Sequence, residues 1–169
     1  MIDLDEIAAT LASLPSALRV LLEPYGSETL TARPAPGEWC VIEVVGHLIT
    51  CDQGAFRDRI GAIAGGAAAV PPFDAGAALV ARDPMNATLD ELLDELASVR
   101  ATSVDFIRSL EPESLSATAP YGEHGTFAAA DFVLEWPYHD QDHIRQILDA
   151  VQQHYLPQMT DTMRSALIG

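Results

Sequence analysis

Apolar residues return at three- and four-residue steps along most of this chain. Ile7, Leu11, Leu14, Leu18 and the Leu21–Leu22 pair trace one helical face over about residues 3–23. Pro15 falls inside that stretch, and a proline ring removes a backbone hydrogen bond, so the pattern predicts a helix, a break and a second short helix. "TARPAPGEW" (31–39) reads as a loop. A second helix is predicted over about 40–64, stopped by Gly65-Gly66 and followed by an Ala/Gly/Pro-rich connection to about Asn86. Thr88 with Glu91 three residues later has the form of a capping box and opens a third helix over about 88–110, which Pro112 closes. The fourth helix is expected to start at Thr126 as its cap and run to Gln153, with a last short helix in the tail 156–169. Pro137 lies inside it. Ala128, Phe132, Trp136, His139, His143 and Gln146 nevertheless keep helical phase across the proline, which predicts one kinked helix rather than two. β-branched runs are short and sit within helical patterns, so no strands are predicted.

Four long helices with long connections make an all-α four-helix bundle the expected fold, with residues 1–169 forming one domain. Leu11, Leu18, Phe132 and Leu134 are expected in its core. A hydrophobic content of 49% with 20% charged residues belongs to a globular chain, not a disordered one. The net charge of −16 changes the list of partners: all nine basic residues are arginine, no basic stripe forms, and a phosphate backbone would be repelled. No apolar run reaches membrane-spanning length. The acidic start, Ile2 to Glu6, lacks a basic leader segment, so no secretory signal is expected and the cytoplasm is the default location. Cys40 and Cys51, if on one helix, lie roughly 16 Å apart along its axis. A disulfide spans about 7 Å at most, so both are expected as free thiols.

The chemistry concentrates in "YHDQDHIRQI" (138–147). At helical spacing His139, Asp142, His143 and Gln146 share one narrow face, and imidazoles four residues apart can grip one ion. Two solvated histidines would show the same spacing. His47 supplies a third imidazole from the apolar pattern "CVIEVVGHLITCDQGAF", where Cys40, Val44, Cys51 and Ala55 share its face; a core histidine is the plainer account of it alone. If the second and fourth helices pack side by side, three histidines with an open fourth position form the layout of a catalytic metal site. Imidazole is a permissive ligand, so zinc, nickel, manganese and iron all remain candidates. Cys51 is a possible fourth ligand or a small buried hydrophobe. Glu43 could accept the second N–H of His47 or be solvated. Asp142, Glu43 and Asp52 are the candidate bases. Arg57, Arg59 and Arg145 could meet a substrate carboxylate, whereas His124 and His154 read as lying away from the cluster. Phosphate-binding loops and serine-nucleophile motifs do not appear.

"PGEWCVIEVVGHLITCDQGAFRDRI" (36–60) and "YHDQDHIRQI" together resemble the Trp-x7-His and His-x3-His-x2-Gln-Ile motifs of the DinB-like (DinB/YfiT) family of metal-binding four-helix bundles, and Gly125-Thr126 ahead of the last long helix also fits. The resemblance implies up-down-down-up topology, a homodimer, His47, His139 and His143 as ligands of a divalent ion, and Trp39 as the anchor of the turn into the second helix. It further implies a small-molecule substrate and S-transferase or isomerase chemistry with a low-molecular-weight thiol such as mycothiol, as in mycothiol-dependent maleylpyruvate isomerase. A non-catalytic metal-binding or stress-response module and a metal-dependent hydrolase are the alternatives. One departure stands out: family members commonly read His-Leu-x-Asp-x-Glu after the first ligand, and here Thr50 replaces the Asp and Asp52 the Glu.

Overall fold

A computed structural model describes residues 2–168. Helix α1 (Leu4–Leu22) is followed by the short α2 (Ser27–Thr31) and then by α3 (Val41–Cys51), which runs through a π-helical turn (Asp52–Arg57) into α4 (Asp58–Ala64). After α5 (Ala75–Arg82) and α6 (Leu89–Ser109) come the strands β1 (Thr118–Pro120) and β2 (Thr126–Ala128), then α7 (Ala129–Gln153) and α8 (Asp161–Ile168). No described helix is long and apolar enough to cross a membrane.

Two hydrophobic clusters give the bundle its direction. One gathers Leu14, Leu18 and Leu22 of α1, Val41 to Ile49 of α3, Leu92 to Leu96 of α6 and Ile147 to Val151 of α7. The other gathers Ala8 and Leu11, Phe56 to Ile63, Val104 and Ile107, and Ala129 to Trp136. The chain therefore passes from the second cluster to the first along α1, back along α3–α4, back again along α6, and returns along α7. This is the up-down-down-up order. On α1, α6, α7 and the continuous α3–α4 segment the switch between clusters falls near mid-length, and on the last three polar residues lie at or beside it: Arg100 and Ser103, His139, Asp140 and His143, and His47 with Asp52 of the π-helical turn. The bundle thus has a polar waist between two oily halves.

Several local expectations need correction. The predicted break at Pro15 is absent: α1 is continuous, with Pro15 buried and Leu11, Leu14 and Leu18 packed on both sides of it. Packing against α6 over the whole length holds the helix through the one hydrogen bond that proline removes. The 65–86 connection contains α5, which packs against α3, and Gly46 of α3 lies so close to Pro84 that a Cβ there would sit 2.7 Å from the proline ring. Thr126 does not cap the last helix. It belongs to a two-stranded antiparallel ladder, Thr118–Pro120 with Thr126–Ala128, that the β-poor sequence gave no reason to expect. The glycines of its loop, Gly122 and Gly125, take positive φ. Helix α7 starts at Ala129 instead, with the Ala128 N–H donating to Asp131 Oδ2 at 2.7 Å. Leu134, expected in the core, is 49% exposed, because the buried face of α7 runs through Phe132, Val133 and Trp136. The Thr88–Glu91 capping box and the free state of both cysteines are as expected.

Candidate metal centre

Helices α3 and α7 pack side by side, and their contact brings the three sequence-selected histidines together. His139 Nε2 lies 3.2 Å from His47 Nε2 and 3.1 Å from His143 Nε2. His47 is buried, while His139 and His143 are partly exposed. Helical geometry accounts for the pair on α7: residues four apart project from the same face one turn apart. His47 reaches them because the α3 face that buries Val44 and Leu48 also faces α7.

Each ring is held from outside the cluster. His143 Nδ1 donates to Gln146 Oε1 at 2.7 Å, which places its proton on Nδ1 and leaves the Nε2 lone pair pointing at His139. Trp39 covers His47, with ring centroids 4.8 Å apart, and lies 6.5 Å from the His143 ring. Phe56 meets the edge of His139 at 5.1 Å and stacks on Trp136 at 4.8 Å. The Cys51 thiol rests on His47, with Sγ 3.4 Å from Nε2.

Burial and the two neighbouring imidazoles push the His47 pKa down to about 3. Burial and His139 likewise lower that of His143, with Gln146 and Asp142 opposing. Both rings are therefore neutral at pH 7, the form in which imidazole binds metals. His139 Nε2 thus lies within hydrogen-bond distance of both other Nε2 atoms, and at least one of the three presents a bare lone pair. A cation is the group such a donor set fits. Ligand atoms of His47, Cys51 and His139 all lie within 4.8 Å of one another. Burial also drives the Cys51 thiol up to about 12, above its usual range.

The cluster rests on the polar waist. Arg100 of α6, 2% exposed, grips Asp140 of α7 with two bonds of 2.7 Å and reaches Asp52 of the π-helical turn with Nε at 2.6 Å from Oδ2. Ser103 donates to the other Asp52 oxygen. Asp140 adjoins His139 in sequence, and its Oδ1 is 3.9 Å from His139 Nδ1. Burial raises the Asp52 pKa, and Arg100 and Ser103 offset part of that rise. Asp52 is therefore a partner of Arg100, not of the histidines, which settles the departure seen at that position. Glu43 does not support His47 either: it accepts from the Cys40 N–H at 3.0 Å and pairs with Arg33. Asp142 pairs outward with Arg145 at 2.8 Å. Arg59 lies at the far end of the bundle against Tyr121 and Phe132, and His154 contacts Thr29. Asp140, Arg100 and Ser103 are functional neighbours that reading from the sequence passed over. Their signal was present: Leu93, Leu96, Arg100, Ser103 and Ile107 make one helical stripe, and so do Val133, Trp136, Asp140 and Ile147. Charged residues in an apolar stripe mark a buried pair.

A groove of about 680 Å³ borders the cluster, lined by Glu38, Trp39, Asp142, Arg145, Gln146 and Asp149 among others. Trp39 and Gln146, which touch His47 and His143, line it, so the groove lies beside the histidines without being lined by them.

Bundle, triad and flanking tryptophan define a helical family with three convergent imidazoles. The sequence profile of the DinB superfamily matches residues 10–147, and the chain belongs to that superfamily. Among solved structures it is similar to YfiT from Bacillus subtilis, described as "a probable metal-dependent hydrolase with an unusual four-helix bundle topology", with a TM-score of 0.78 at 18% identity over 91% of this chain and 90% of that one. That likeness establishes the four-helix bundle fold. No curated protein matches the chain.

Proposed function

We propose that this protein is a metal-dependent enzyme acting on a small molecule, with His47, His139 and His143 as ligands of one divalent ion. The observation that carries the reading is the convergence of the three Nε2 atoms, His139 lying 3.2 Å from His47 and 3.1 Å from His143. An ion bound there supplies Lewis acidity, lowering the pKa of a thiol or water it coordinates. The chain's own contribution is orientation and charge. Gln146 fixes the His143 tautomer, Trp39 screens His47 from water, and the low pKa of His47 keeps it a ligand in mildly acid solution.

The favoured co-substrate is a low-molecular-weight thiol, which makes the reaction an S-transfer or a thiol-dependent isomerisation. The groove supports this: carboxylates, amides and an arginine offer both acceptors and donors to a hydroxyl-rich molecule such as mycothiol. A second reading, activation of water for hydrolysis, draws on the likeness to YfiT. The remaining elements of the proposal are a single domain, residence in the cytoplasm and a homodimer, which light scattering would report as twice 18.1 kDa. The deciding experiment is metal analysis of native protein followed by turnover assays with a thiol panel and an ester panel. Thiol-dependent turnover that disappears on chelation supports the leading reading. Ester hydrolysis without thiol supports the second. Metal bound without turnover of either panel overturns both in favour of a binding module.

A further inference from the structure

The ion-binding reading above leaves one nearby donor unused. We propose that Cys51 is a further ligand of the same ion, entering as a thiolate from the buried side. Two nitrogens each about 2.0 Å from a tetrahedral ion lie about 3.3 Å apart, and such a nitrogen lies about 3.5 Å from a sulfur bound at about 2.3 Å. The structure has His47 and His139 Nε2 at 3.2 Å, His139 and His143 Nε2 at 3.1 Å, and Cys51 Sγ at 3.4 Å from His47 Nε2. Sγ is also 3.6 Å from His47 Nδ1, so coordination requires the thiol to swing from the ring toward the Nε2 side, where ligand atoms of His47, Cys51 and His139 already lie within 4.8 Å of one another.

Backbone geometry supports the placement. His47 and Cys51 are one turn apart on α3, and the helix keeps α geometry as far as Cys51. The π-helical turn begins at the next residue, and it turns Asp52 toward Arg100 and Ser103. The thiol and the carboxylate, adjacent in sequence, are thereby divided between two tasks. Cys51 is 2% exposed, whereas His139 and His143 are the partly open members. The thiolate takes the inner position and leaves the outer one to an exogenous ligand, a site of four protein donors with room for a fifth. Coordination releases one proton to solvent: Cys–SH and M²⁺ give Cys–S⁻–M²⁺ and H⁺. A soft sulfur donor biases the site toward zinc or cobalt and away from manganese.

The test is the electronic spectrum of the apo full-length protein titrated with Co²⁺. A near-ultraviolet sulfur-to-cobalt charge-transfer band is expected in the wild type and in Cys40→Ala, which leaves Cys51 as the only thiol. Cys51→Ala should still bind cobalt, seen as visible d–d bands, without the charge-transfer band. Its zinc affinity should fall at least by the about 10–100-fold that losing an outer-shell partner costs. If Cys51→Ala fails to fold, the wild-type and Cys40→Ala spectra decide alone. Cobalt bound by the wild type with no charge-transfer band overturns the role of Cys51 and leaves the histidine triad standing. Absence of any cobalt binding overturns the ion-binding reading itself.

Discussion

Replacing Arg100 by methionine tests whether the polar waist carries charge. The side chain is 2% exposed and serves two carboxylates at once, Asp140 through two bonds of 2.7 Å and Asp52 at 2.6 Å. Methionine fills much of the same volume without any charge, so the variant leaves two carboxylates buried with no cation. Breaking a buried pair in this way costs about 3–5 kcal/mol. For a chain whose total stability is about 5–15 kcal/mol, that is a large share. With a urea m-value of about 2 kcal/mol per molar, the midpoint should fall by about 2 M. The loss should also depend on pH in one direction. Burial already raises the Asp52 pKa above its unfolded value of about 3.9, and without Arg100 to offset that rise the folded state binds a proton that the unfolded state does not. The deficit is then fullest at neutral pH and shrinks as pH falls through the folded value. Urea titrations of wild type and variant at pH 7 and pH 4.5, followed by far-ultraviolet circular dichroism, measure both effects. Adding Asp52→Asn and Asp140→Asn to the variant should recover most of the loss at pH 7. A deficit under about 1 kcal/mol that is equal at the two pH values would refute the reasoning, because an uncompensated buried charge costs more than that.

The remaining predictions are narrower. His143→Ala should keep the bundle, whose core is apolar, while zinc affinity measured by competition with a chelating dye falls by orders of magnitude, since the surviving ligands come from two separate helices. The metal-free wild type should lose stability as pH falls from 6.5, the ordinary histidine value, toward 3, because the unfolded chain protonates His47 there and the folded chain does not. At pH 4.5 the His47 contribution is two pH units, or about 2–3 kcal/mol. His47→Gln should flatten the profile by that amount, and parallel profiles would count against it. Gly46→Ala should cost about 1–3 kcal/mol, measured by thermal unfolding, because the new Cβ meets Pro84 at 2.7 Å.

The long helices were legible because their apolar residues repeat at helical spacing over five or six turns, and the capping box at Thr88–Glu91 fixed one boundary to the residue. The same method failed where tertiary contact overrules local preference. Pro15 announces a break, but Leu11 and Leu18 on either side are buried and hold α1 in one piece. The β-ladder escaped notice because three residues per strand leave no period to count. Leu134 was misplaced by a single step around α7, a difference of 100° between neighbouring residues. For the site, His139 and His143 were visible as a pair, and His47 joined them only on the assumption that α3 lies against α7. Asp52 was read against a family pattern instead of against its own helix, where it falls toward α6. Arg100 and Asp140 were passed over because charged residues on helices usually face water; the apolar stripes around them mark each as buried, but not the two as mates 40 residues apart.

The waist also limits how the four helices can slide. In a uniformly oily bundle, shifting α7 by one turn, about 5.4 Å, exchanges one leucine contact for another at little cost. Here that shift would draw Asp140 out of the Arg100 fork and set it against apolar side chains, with Arg100 and Asp52 left facing hydrocarbon. Only one axial alignment of α3, α6 and α7 satisfies all three charges, much as a lone polar residue fixes the stagger of a coiled coil. His47 and His139 ride on those same helices, within five residues and one residue of Asp52 and Asp140. The ratchet position of the bundle and the distance between the imidazoles are therefore set by the same contacts, and a substitution that loosens the first will be read out as a widening of the second.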